Sequence, residues 1–118
     1  MAFRFQTLEV YKTTLAMSAA VFILLNELQN KREYVIADQL MRAFLSISNN
    51  IAEGSGSNSD KEFAYFLNIA RRSVFECVNM MTIIHLKGYL SNEAKDEYAE
   101  KFELISKKLQ SLRKSLIY

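Results

Sequence analysis

The sequence predicts an all-α protein, an up-down-up-down antiparallel four-helix bundle. Three observations carry that expectation. The 118 residues include no proline and only three glycines, so the chain is built from few, long elements. Half of the residues are hydrophobic, enough for a real core and too many for disorder. The apolar positions recur at spacings of three and four, the period of a helix and not of a strand. A β-sandwich or barrel would need a turn signal about every 8–12 residues. At this length one domain is expected, residues 1–118.

The first helix is expected over about residues 7–28, with Thr7 as N-cap and Glu9 in the first turn. Its stretch from Leu15 to Leu25 is apolar nearly all round, which requires cover on more than one side. The polar turn Asn30-Lys31-Arg32-Glu33 ends it. The second helix spans about 33–53, with Ile36, Leu40, Phe44, Ile47 and Ile51 as its buried stripe. Gly54 is expected as a left-handed residue just past its end, followed by the Ser55-Gly56-Ser57-Asn58 loop.

Ser59 and Glu62 form a capping-box pattern at the start of the third helix, about 60–87. Phe63, Leu67, Ala70, Val74, Cys77, Met81 and Ile84 alternate by four and three, a coiled-coil-like seam. Opposite this seam, Tyr65, Ile69, Met80 and Ile83 are interleaved with Arg72 and Glu76. Gly88 stops the helix. The fourth helix follows the Ser91 cap, about 92–116, with Tyr98, Phe102, Ile105, Leu109, Leu112 and Leu116 inward. The connections are short, which makes neighbouring helices antiparallel. Surplus apolar surface on the first and third helices points to a homo-oligomer.

The net charge is +2, too mild to identify a nucleic-acid partner by itself. Residues 104–118 carry Lys107, Lys108, Arg113 and Lys114 and no acid. Basic residues at the end of a helix suit its dipole, so this cluster has a structural explanation as well as a functional one. One cysteine, Cys77, excludes an internal disulfide. The start, Met1-Ala2-Phe3-Arg4-Phe5-Gln6, lacks a signal-peptide layout, and the longest apolar run falls short of a membrane span. A cytoplasmic protein without membrane partner is expected.

Nothing in the chain is arranged for catalysis. His85 is the single histidine, near a helix end where a dipole partner is the simpler role. No Cys/His cluster has zinc spacing. Gly54-x-Gly56 follows a helix and not a strand, so it is no nucleotide loop. Cys77 falls on the buried seam. No enzyme activity, metal or cofactor is expected. The second helix carries a polar stripe of Asp38, Gln39, Arg42, Ser46, Asn49, Asn50 and Glu53, and the third adds Arg72, Ser73 and Glu76. Two readings stand: structural pairs such as Arg42 with Glu76, or Glu53 with Arg71 or Arg72, and a bound anion.

The run Arg42-Ala43-Phe44-Leu45-Ser46-Ile47-Ser48-Asn49-Asn50-Ile51-Ala52-Glu53-Gly54 resembles the signature of the four-helix-bundle proteins encoded in intervening sequences of bacterial 23S ribosomal RNA genes. Leu8-Glu9-Val10-Tyr11-Lys12, Lys61-Glu62-Phe63, Phe66-Leu67-Asn68-Ile69-Ala70 with Ser73 and Glu76, and Gly88-Tyr89-Leu90 extend the match in order. Relatives in this family serve as accessory proteins of diversity-generating retroelements. The resemblance implies a ring-like homopentamer, no catalysis, and a role with RNA or DNA. Lys12, Arg42, Arg71, Arg72, Lys107, Lys108, Arg113 and Lys114 are the candidate contacts. The rival expectation is a scaffold for another protein, such as a reverse transcriptase. Ser48 stands where the family often has proline, so the second helix should be straighter here. Arg72 stands where a small residue is usual, and Ser57-Asn58-Ser59 replaces a basic residue after the glycine-rich loop.

Overall fold

The computed structural model describes residues 3–117. The stretch read for targeting includes Met1 and Ala2, which lie outside the described residues. A short 3-10 turn, Arg4–Thr7, precedes five helices: α1 Glu9–Leu15, α2 Ser18–Asn30, α3 Tyr34–Ser55, α4 Asp60–Leu86 and α5 Asn92–Ile117. Together α1 and α2 form the first arm of an antiparallel four-helix bundle. Glu9 at the start of α1 is paired with Lys108 near the end of α5, and Glu33 ahead of α3 with Lys87 after α4 at 3.0 Å. The bundle measures 44 × 26 × 20 Å.

The first arm is not one helix, as the sequence suggests, but two. Thr13 Oγ1 donates to the Glu9 carbonyl and Thr14 Oγ1 to the Val10 carbonyl, at 2.9 and 2.8 Å. Such back-bonding loosens and bends a helix. The Met17 N–H closes onto the Thr14 carbonyl, three residues back, at 3.1 Å. The start also differs. Thr7 ends the 3-10 turn with its hydroxyl on the Arg4 carbonyl, and Leu8 is the N-cap.

The stripes fall where the period puts them. All seven seam residues of α4, from Phe63 to Ile84, are buried. So are Leu40, Phe44, Ile47 and Ile51 of α3 and Phe102, Ile105 and Leu109 of α5. Each buried Val, Leu, Ile, Phe or Met side chain among them contributes about 1.5–3 kcal/mol by leaving water. Phe44 stands edge-on to both Phe22 of α2 and Phe102 of α5, with ring centres 6.3 and 6.4 Å apart. Met80 departs from expectation. It is buried, because it lies two turns along from Ser73 on the side of α4 that meets α3.

Gly54 corrects a second expectation. It is buried within α3, which runs on to Ser55, and only Gly88 among the glycines has a positive φ. A Cβ at Gly54 would stand 2.6 Å from Phe66 Cβ and 3.0 Å from Phe63 Cδ1. Close approach of α4, not a left-handed turn, is what requires glycine there. Helix α3 passes through Ser48 without interruption.

The ends of α2 and α4 are built alike. The Glu33 N–H reaches back to the Leu28 carbonyl and the Tyr89 N–H to the Ile84 carbonyl, at 2.9 and 3.1 Å. Each closure needs a left-handed residue, Gly88 at φ +88° and Arg32 at φ +62°. Glycine adopts that conformation freely and arginine does not. Arg32→Gly is therefore expected to gain about 0.5–1 kcal/mol in urea unfolding. A loss of stability would mean that the arginine side chain contributes more than its backbone costs. The Glu33–Lys87 pair closes the same end; its hydrogen bond holds the Glu33 carboxyl below its usual range and Lys87 above its own.

Candidate nucleic-acid interface

The polar residues of the motif divide into a part-buried network and an exposed edge. Ser46 Oγ of α3 and Ser73 Oγ of α4 are 2.8 Å apart. Asn50 Nδ2 donates to the Ser46 carbonyl and to Ser46 Oγ, at 2.7 and 2.9 Å, and Ser73 Oγ donates to the Ile69 carbonyl at 3.2 Å. These side chains satisfy one another across the α3–α4 contact, which fixes the relative position of the two helices. With Gly54 at the close crossing, they explain Ser46, Asn50, Gly54 and Ser73 as packing residues.

The charged members behave differently. Arg42 pairs with Asp38, one turn away on its own helix, at 2.9 Å, and not with Glu76. The i,i+4 partner is within reach without crossing to another helix. Glu53 and Glu76 are exposed, and among the described residues neither makes an ion pair with Arg71 or Arg72.

The candidate basic residues do not form one patch. Lys108 turns toward α1 and pairs with Glu9, whose carboxyl is held low chiefly by that hydrogen bond. Lys12 is on α1, at this same edge. Lys107 is held by Glu103 at 3.1 Å. Lys12, Arg71, Arg72, Arg113 and Lys114 remain, and among the described residues none of them has a carboxylate in ion-pair range.

Arg71 and Arg113 belong to the α4–α5 side of the bundle, and Arg72 is exposed beside Arg71 on α4. Arg113 lines a trough with Lys61, Ala64, Tyr65, Asn68 and Leu116. Arg71, one turn along α4 from Asn68, places its guanidinium 5.0 Å from the centre of the Phe75 ring. Phe75 in turn lines the next depression with Val74, Val78, Ala99, Glu103 and Ser106. The Nε atoms of Arg71 and Arg113 are buried and, among the described residues, without a hydrogen-bond partner. Their stems are thus seated in the seam, as long basic side chains often are. Lys114 is exposed one residue beyond Arg113. The sequence names these arginines but cannot gather them, because the grouping depends on how α5 packs along α4.

Cys77 is buried, and burial, with a smaller contribution from Glu76, pushes its thiol up to about 12. It offers no thiolate near neutral pH. His85 uses Nδ1 on the Leu90 carbonyl, at 2.8 Å, tying the end of α4 to the following turn. Among the described residues no group of three or more His, Cys, Asp or Glu side chains is placed to hold a metal ion. No described helix is long and apolar enough to cross a membrane.

A second surface feature lies on α1 and α2. Leu15, Ala16, Ala19, Ala20 and Ile23 are exposed, Ile23 by 69%. The exposed Leu104 of α5 lines a groove with Ala16, Ala20, Tyr98 and Lys101. From Thr13 to Asn26 the chain has no charged residue.

No curated protein matches the chain. Among solved structures, the fold is similar to that of a protein of unknown function from the S23 ribosomal protein family of Bacteroides thetaiotaomicron VPI-5482. The TM-score is 0.82 at 25% identity, over 89% of this chain and 98% of that one. The family profile described as 23S rRNA-intervening sequence protein matches residues 6–111. That span takes in the Ser46–Asn50–Ser73 network, the Gly54 crossing and most of the α4–α5 seam, so the chain belongs to the 23S rRNA-intervening sequence protein family.

Proposed function

We propose that this protein is a non-enzymatic, cytoplasmic bundle that assembles with copies of itself and binds RNA or DNA along its α4–α5 side. The observation that carries the binding is the set of arginines, Arg71, Arg72 and Arg113, that have no carboxylate partner among the described residues. Guanidinium groups suit phosphate oxygens, and the stems of Arg71 and Arg113 are seated in the seam. Assembly is supported by the uncharged apolar face of α1 and α2, which a solitary bundle would leave in water. A ring needs two different surfaces on each subunit. The α1–α2 face supplies one of them. The family resemblance favours five subunits. Each added copy brings a further +2 of net charge and repeats the basic seam around the ring.

The test is retardation of structured RNA and duplex DNA in gels at about 50 mM salt, then affinity against salt concentration. Binding through these arginines should fall steeply with salt. Replacing Arg71, Arg72 and Arg113 by glutamine should flatten the log–log slope by about three for each subunit in contact. No retardation by the unaltered protein at about 50 mM salt overturns the binding reading. The uncharged α1–α2 face also favours a second reading, a scaffold for another protein such as a reverse transcriptase. A neighbouring reverse transcriptase gene would support it, and an insertion within a ribosomal RNA gene would not.

A further inference from the structure

The arginines of the α4–α5 seam are accompanied by exposed aromatic rings. Tyr65 is 63% exposed and Phe75 57% exposed. Both lie on the outward side of α4, with Arg72 seven residues after Tyr65 and three before Phe75, so all three share one face of the helix. Arg71 is stacked on Phe75, and Arg113 shares a trough with Tyr65. Ten residues of helix separate the rings, about 15 Å along the axis. That distance spans about four bases at a stacked rise of ~3.4 Å, and fewer in an extended strand.

We propose that the α4–α5 seam is a platform for unpaired nucleic acid, with Tyr65 and Phe75 stacking on bases and Arg71, Arg72 and Arg113 on the phosphates between them. This rests on the nucleic-acid reading above and narrows it to single strands, loops and bulges. A duplex hides the faces of its bases and needs no aromatic ring on the protein. An unpaired strand presents a base face and a phosphate at each step, the combination this seam is built to meet. Guanidinium groups alone would also suit an acidic protein, but such a partner gives large exposed rings nothing to stack on. The one carboxylate lining the Phe75 depression, Glu103, is neutralised by Lys107.

The experiment compares a labelled oligonucleotide of about 15 nucleotides with its own duplex, by fluorescence anisotropy. The single strand should bind more tightly. Tyr65→Ala and Phe75→Ala should each weaken it by about tenfold and weaken duplex binding by less. Tyr34→Ala removes an exposed ring outside the seam and should change neither. Circular dichroism of the variants should match the unaltered protein, since both rings are largely in water. A 5-iodouracil strand, irradiated in the complex, should crosslink to Tyr65 or Phe75. Equal binding of strand and duplex, with the aromatic variants unaffected, overturns the platform and leaves the wider reading standing. Failure of both probes to bind overturns the two together. So does Arg71-dependent binding of polyglutamate with no binding of either nucleic acid, which would assign the seam to an acidic protein.

Discussion

Gly54→Ala is expected to lose about 1–3 kcal/mol of stability in urea unfolding, the usual cost of forcing extra volume into a packed contact. The same exchange in an open helix would gain up to about 1 kcal/mol, because alanine is the better helix former. The sign is decided by the atoms in the way. The new Cβ would meet Phe66 Cβ at 2.6 Å. That atom is fixed to the α4 backbone and cannot swing aside as a side-chain tip would. Relief requires α3 and α4 to separate, which would also stretch the Ser46–Ser73 hydrogen bond two turns away. Gly56 provides the control. Its added Cβ would meet only the Glu53 carbonyl, at 3.5 Å, so Gly56→Ala should be neutral or slightly stabilising. Equal stability of the two variants would remove the close crossing as the reason for glycine at position 54.

The contrast between these glycines shows how far the sequence could be followed. Periodicity alone identifies the α4 seam from Phe63 to Ile84, since a residue's face depends only on its count along the helix. Gly88 is legible for a similar reason: a helix stop followed by a polar turn is a local event. Gly54 has the same local appearance, glycine at the end of an amphipathic run. Its role depends instead on Phe63 and Phe66, which reach it only through the fold. The break at Ala16–Met17 carries no glycine or proline signal and follows from two adjacent threonine hydroxyls turning back on the helix. Arg42 pairs along its own helix because Asp38 is one turn away, whereas Glu76 is on another helix. The basic residues were nameable individually. Their sorting into Lys108 facing α1, Lys107 held by Glu103, and Arg71 with Arg113 in one seam depends on the rotation of α5 about its axis, which the stripe sets only coarsely.

Ile23→Asp is expected to reduce the assembly to a particle of 13.6 kDa, measured by light scattering at micromolar concentration. Ile23 is 69% exposed in the single subunit, so the substitution costs the bundle little. In an apolar interface the same carboxylate would be buried without a partner, at a cost of several kcal/mol. Leu104→Asp, in the groove beside Ala16 and Ala20, should act in the same direction. The monomer keeps Arg71, Arg72 and Arg113 intact, yet its apparent affinity for a long nucleic acid should fall by about 10²–10⁴, because joined sites hold a strand far better than single ones. The arginine variant should show the reverse: full assembly with lost binding. These opposite outcomes separate the two surfaces, since one sets how many seams face a strand and the other sets what each seam holds. An unaltered protein that already runs at 13.6 kDa would leave the α1–α2 face without a second copy to cover it and would sink the assembly reading. Nucleic-acid binding that survives Ile23→Asp at full strength would show that one seam suffices, with the ring serving some other end.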